Sequence, residues 1–118
     1  MTDSKDLKGR TKKFAVKIVR IVDRLPRSIA SEVVGRQLVR SATSTGANYR
    51  AACRARSKAE FIAKLQITLE ESDETQYWLE LLLELDMLDQ QVLHDSLQEA
   101  DELTAIFVSA LKTARSRR

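Results

Sequence analysis

Gln37-Leu-Val-Arg-Ser-Ala-Thr-Ser-Thr-Gly-Ala-Asn-Tyr-Arg-Ala-Ala-Cys-Arg-Ala-Arg-Ser-Lys-Ala-Glu-Phe61 contains parts of two helices and the join between them. At the join, Ser57-Lys-Ala-Glu60 has the form of a capping box and Phe61 opens a new apolar run, so a helix starts there. Before it, Val34, Leu38, Ala42, Thr45, Tyr49 and Ala52 recur at helical spacing. Arg36, Arg40, Arg50 and Arg54 lie near another face of that helix. Its inner part, Ser41-Ala-Thr-Ser-Thr-Gly-Ala-Asn48, is made of small side chains that let helix axes approach. Gly46 inside a helix costs about 1 kcal/mol against alanine, which places a close contact or a local bend there. Asn48 reads equally well as a buried residue fixing packing register or as an exposed one.

Working upstream, Leu7, Phe14, Ile18, Ile21 and Leu25 form one apolar stripe, widened by Ala15 and Val22. On a neighbouring face Arg10, Lys13, Lys17, Arg20 and Arg24 follow one another at steps of three and four, a continuous cationic ridge. Gly9 comes early, where fraying makes it cheap, and residues 1–5 read as frayed. Pro26 stops this helix, because the residue before a proline is disfavoured in helical geometry. Ser28 or Ser31 then caps the next one, and Glu32 suits its positive end.

Downstream, Tyr77-Trp-Leu-Glu-Leu-Leu-Leu-Glu-Leu-Asp-Met-Leu88 is too apolar for one buried face. Its hydrophobic positions cover roughly 280° of arc against the roughly 100–140° of an ordinary bundle helix. Either the helix is central in its own bundle or a second face packs on another subunit. In so small a domain the second reading is preferred, with Tyr77, Trp78, Leu81, Leu85 and Leu88 as the interface. Asp89 caps a last helix whose Val92, Leu93, Leu97, Ala100, Leu103, Ile106, Phe107, Ala110 and Leu111 face inward, before a basic tail ending at Arg118.

Helices over 6–25, 29–55, 58–87 and 90–113, with short connections, predict an all-α, antiparallel up-down-up-down four-helix bundle occupying 1–118 as one domain. The 118 residues include three glycines and one proline, and strand signals are lacking. The net charge of +3 divides unevenly: residues 1–60 carry 15 Lys/Arg against 5 Asp/Glu, residues 61–118 carry 5 against 12. Such a split serves an anionic partner, pairs one subunit with the next, or simply draws the two halves of one fold together. The absence of a signal pattern or long apolar run predicts a soluble, cytoplasmic protein. A basic first helix lying on a membrane ranks last, because its apolar stripe is needed for the core.

Catalytic and metal chemistry find no support. A di-iron bundle needs Glu-x-x-His pairs, but the one histidine, His94, follows Gln91 at that spacing. Zinc lacks ligands with one Cys and one His. Cys53 has Arg50, Arg54 and Arg56 nearby, which would favour a thiolate, yet no histidine is close in sequence to act as base. A small buried cysteine is the better reading. Glu70, Glu71, Asp73 and Glu74 crowd one segment without the loop geometry calcium needs, so a solvated or arginine-pairing face is preferred. No glycine-rich phosphate loop occurs. A non-enzyme without cofactor is expected, and the remaining chemistry is electrostatic.

The turn Gln37-Leu-x-Arg-Ser-Ala, Ser44, Asn48, Arg56-Ser57-Lys58 and Glu60-Phe61, followed by Tyr77-Trp78-Leu79-Glu80-Leu81-Leu82, resemble the bacterial four-helix-bundle family first noticed as reading frames in intervening sequences of 23S ribosomal RNA genes. Many members have Ile-Pro where this chain has Thr45-Gly46, and Glu-Gly where it has Ala51-Ala52. The resemblance implies a bundle assembling into a ring, a homopentamer. Related accessory proteins of diversity-generating retroelements form similar barrels, bind nucleic acid and partner a reverse transcriptase.

The expected function is therefore a non-catalytic homo-oligomer binding RNA or DNA backbone through Arg10, Lys13, Lys17, Arg20, Arg24, Arg36, Arg40, Arg50 and Arg54. Tyr49 is the one aromatic among these arginines, so base stacking is poorly supported. The rival is a protein–protein scaffold whose ridges pair with the acidic half of a neighbour.

Overall fold

At the join between the second and third helices the Ser57 hydroxyl accepts a hydrogen bond from the Glu60 backbone N–H at 3.0 Å, as the capping pattern requires. The reciprocal bond departs from the expected box. Glu60 Oε2 accepts from the backbone N–H of Arg56 at 3.4 Å, one residue before the cap. The computed structural model describes residues 4–117. It holds four helices: α1 (Ser4–Asp23), α2 (Ile29–Cys53), α3 (Lys58–Leu85) and α4 (Gln90–Ser116). The molecule measures 49 × 22 × 20 Å, about the length of its longest helices.

The bundle is antiparallel and packs consecutive helices side by side. α2–α3 and α3–α4 are the most extensive seams, and α1 lies chiefly on α2 and touches α4 sparingly. The core consists of the expected stripes: Leu7, Phe14, Ile18 and Ile21 from α1, Val34, Leu38, Ala42 and Tyr49 from α2, and Leu93, Ala100, Leu103, Phe107 and Leu111 from α4. α3 contributes Leu65, Leu79 and Leu82. Between them run buried hydroxyls, each satisfied. Thr75 Oγ1 donates to Ser41 Oγ at 2.9 Å across α2–α3, and Ser72 meets Thr104 at 2.7 Å across α3–α4.

Helix ends follow local chemistry. α1 stops at Asp23, two residues before the expected end, and the chain closes through short i→i−3 bonds from Arg24 to Ile21 and from Leu25 to Val22. Ser28, of the two candidates, caps α2 by accepting from the Ser31 N–H at 3.0 Å. α3 ends at Leu85 on Asp86, which takes the left-handed conformation (φ 53°) usually left to glycine. Asp89 caps α4 by accepting from the Gln91 N–H at 2.8 Å, and α4 runs to Ser116, three residues past the expected end. Of the residues read as frayed, Ser4 and Lys5 open α1. Residues 1–3 and Arg118 lie outside the described part.

The small residues of α2 do bring α1 close. A Cβ built on Gly46 would sit 3.4 Å from Thr11 Oγ1 and 3.5 Å from the Thr11 carbonyl oxygen. Gly35, not singled out from sequence, is tighter: its Cβ would lie 2.9 Å from Val22 Cγ1. Asn48 bridges no helices. Its side-chain amide donates to Ser44 O and Oγ within α2. No helix among the described residues is long and apolar enough to cross a membrane.

Candidate nucleic-acid interface

The nine cations read as one phosphate-binding surface fall into three groups. Arg10, Arg36 and Arg40 are engaged by carboxylates. Arg10 reaches from α1 to Glu99 and Glu102 on α4, and the Glu99 hydrogen bond above all raises its pKa further. Arg40 bridges α2 to Glu71 and Glu74 on α3 and is raised mainly by its bond to Glu74. Arg36 pairs with Glu32 one turn back, an exposed contact of small worth. Glu74 also accepts from Trp78 Nε1 at 2.9 Å, and Trp78, then Arg40, hold its carboxyl below the usual glutamate range. This accounts for half of the Glu70–Glu74 cluster as an arginine-pairing face.

The second group, Lys13, Lys17 and Arg20 on α1 and Arg24 in the turn after it, is exposed without an ion pair among the described residues. Two surroundings meet along it. Lys13 and Lys17 border a groove whose far wall is Asp95, Glu99 and Glu102 of α4. On the other side, Arg20 and Arg24 share with Lys12, Lys13 and Lys17 a groove floored by Val16, Ile21 and Val92, with no carboxylate in its lining.

The third group is Arg50 and Arg54, at the C-terminal end of α2. They share a groove of about 430 Å³ with Lys8 and Lys12 of α1, over a floor of Thr11, Ala15, Thr43, Gly46 and Ala47. The sequence reading missed Lys8 and Lys12. The available signal was their spacing of four residues, which puts them on one side of α1 beyond the ridge. No carboxylate lines this groove. Small side chains and the close approach at Gly46 keep its floor low, so four cationic side chains rise around a shallow trough.

Tyr49 offers nothing to a base. It is 5% exposed and packs on Phe107 with ring centroids 5.8 Å apart. Cys53 is half-buried against the core and His94 is exposed. No group of three or more metal-ligating side chains occurs among the described residues.

The proposed subunit contact on α3 separates into two parts. Tyr77 (57% exposed) and Leu85 (43%) lie at the surface. Trp78, Leu81 and Leu88 are half-buried and pack against the core. The bundle thus absorbs part of the wide apolar arc itself.

A family model described as 23S rRNA-intervening sequence protein matches residues 5–109. The chain belongs to the 23S rRNA-intervening sequence protein family. A solved family relative, a protein of unknown function from the S23 ribosomal protein family of Bacteroides thetaiotaomicron, is 36% identical, with a TM-score of 0.85. That match covers 92% of this chain and 97% of the relative. A search of curated proteins finds no match. For this member of the 23S rRNA-intervening sequence proteins, the family and the bundle agree with the expectation from the Gln37–Phe61 stretch, and the groove beside Gly46 lies on that same stretch.

Proposed function

We propose that this protein is a non-catalytic, homo-oligomeric bundle that binds the sugar–phosphate backbone of RNA or DNA, as a cytoplasmic accessory or scaffold protein. The observation that carries the reading is the trough between α1 and α2, where Lys8, Lys12, Arg50 and Arg54 surround a floor of small side chains free of carboxylates. Cations grouped without counter-charge bind a phosphate chain by releasing its condensed counterions. The burial of Tyr49 leaves no aromatic platform in the trough, so recognition runs through the backbone and groove shape rather than stacked bases. The α1 ridge is the poorer phosphate surface at its Lys13–Lys17 end, where Asp95 and the Arg10-paired Glu99 and Glu102 line the groove and offset the two lysines. In a ring, a homopentamer by family resemblance, the trough recurs once per subunit and weak contacts add by avidity. A partner enzyme such as a reverse transcriptase fits an accessory role of this kind.

The test is affinity for a structured RNA and a matched DNA duplex as a function of salt, for the wild type and for Lys12→Glu/Arg50→Glu. Steep salt dependence in the wild type, lost in the variant, is the expected result. No binding by folded, assembled protein at low salt would retire the reading in favour of a protein–protein scaffold.

A further inference from the structure

The α1 ridge and the outer face of α3 carry runs of equal spacing, four cations on one and three acids with a tyrosine on the other. Along α1 and into the turn that follows it, Lys13, Lys17, Arg20 and Arg24 are spaced four, three and four residues apart. On α3, Asp73, Tyr77, Glu80 and Glu84 have the same spacing, and all four are exposed. At about 1.5 Å per residue the α3 run covers about 16 Å of helix and Lys13 to Arg20 about 10 Å, with Arg24 in the turn beyond. The side chains of Asp73, Glu80 and Glu84 make no hydrogen bond or ion pair among the described residues, and neither do those of the four cations. Beside the acids lie the exposed Tyr77 and Leu85, and beside the cations lies the apolar floor of Val16, Ile21 and Val92.

We infer that these are the two halves of one contact: the outer face of α3 of one copy seats on the α1 groove of the next. The inference rests on the homo-oligomeric reading and names its surfaces. Three acids facing cations at equal pitch set the register, Tyr77 takes the remaining position, and the apolar side chains at the centre supply burial. The contact is centred on Arg20 and Arg24, because Asp95 lies on the α4 side of Lys13 and Lys17 and Val92 lies beside the Arg20–Arg24 end. Asp23, exposed on α1, is the one acid within that stretch. The two surfaces differ, so the contact is head-to-tail and propagates from subunit to subunit, which a closed ring requires. The groove adjoins the α1–α2 trough, with Lys12 lining both, so a contact centred on Arg20 and Arg24 leaves Lys8, Arg50 and Arg54 to the nucleic acid.

The test is native mass spectrometry of the full chain and three charge variants, with circular dichroism confirming the helical fold of each. Arg20→Glu/Arg24→Glu and Glu80→Lys/Glu84→Lys each place like charges across the contact and are expected to raise the subunit dissociation constant at least tenfold. The variant carrying all four substitutions swaps the charges and is expected to regain assembly. Single-face variants that stay assembled, or a swapped variant that does not recover, would overturn this pairing while leaving the homo-oligomeric reading in place. A wild type that is monomeric at micromolar concentration would overturn both.

Discussion

Arg10 holds Glu99 across the α1–α4 seam by two hydrogen bonds, from Nε to Oε2 at 2.8 Å and from Nη2 to Oε1 at 2.7 Å. This forked geometry is what a guanidinium can do and an ammonium cannot. Both side chains are only about 30% exposed, so the pair is less screened than an ordinary surface bridge. Arg10→Ala should cost about 1–2 kcal/mol in urea unfolding, and Arg10→Lys should recover less than half of it. Full recovery by lysine would mean that charge, not the fork, holds the seam.

The cations divide into those already neutralised and those available, and salt titration separates them. Lys12→Ala and Arg54→Ala should each weaken nucleic-acid binding and reduce the log–log salt slope by about 1. Arg40→Ala, whose guanidinium is committed to Glu71 and Glu74, should leave the slope unchanged while lowering stability. Equal slope losses for Arg40 and Arg54 would count against the α1–α2 trough as the binding surface.

Two glycines on α2 should respond oppositely to alanine. At Gly46 the new Cβ meets Thr11 at 3.4 Å, ordinary contact, so Gly46→Ala should stabilise by up to about 1 kcal/mol through helix propensity. At Gly35 it meets Val22 Cγ1 at 2.9 Å, and a β-branched side chain has little rotamer freedom to yield. Overpacking there outweighs the propensity gain, with a net loss of about 1 kcal/mol expected. Thermal unfolding of the two variants checks the opposite signs.

The Glu74 carboxyl is held below its ordinary range by hydrogen bonds from Trp78 and Arg40. A carboxyl depressed on folding adds stability that is present above its unfolded value, near about 4.3, and is lost as pH falls through the folded value. Wild-type protein should therefore lose stability on acidification below about pH 4, more steeply than Glu74→Gln. Tryptophan fluorescence reports the change directly, since Trp78 Nε1 is one of the donors. An identical acid profile for the two proteins would show that Glu74 does not couple to folding.

Reading the sequence found the helices because their signals are local. Ser28, Ser57 and Asp89 cap by contacts to residues two or three positions on, and the apolar stripes needed only helical period. The inward stripe that named Val34 through Ala52 already contained Tyr49, and its burial follows from that position. What sequence could not carry is contact across large separations. Arg10 and Glu99 are 89 residues apart, and nothing near Arg10 reveals that α4 presents a carboxylate to it. Lys8 and Lys12 join Arg50 and Arg54 only because α1 crosses α2 closely at Gly46. The early end of α1 reflects the chain tightening into i→i−3 bonds ahead of Pro26, a choice of turn that periodicity does not encode.

The hydroxyl pairs buried in the bundle give it a mechanical grain. Ser41–Thr75, buried, and Ser72–Thr104, partly buried, tie α2 to α3 and α3 to α4 at fixed heights, so any sliding along those seams breaks one of these bonds. Thr11, the buried hydroxyl of α1, bonds instead to the Lys8 carbonyl of its own helix. Tension applied at the N-terminus therefore meets the Arg10 fork and apolar contact rather than buried rungs. Under load α1 is expected to peel away before the other three helices part, an order that force spectroscopy would read.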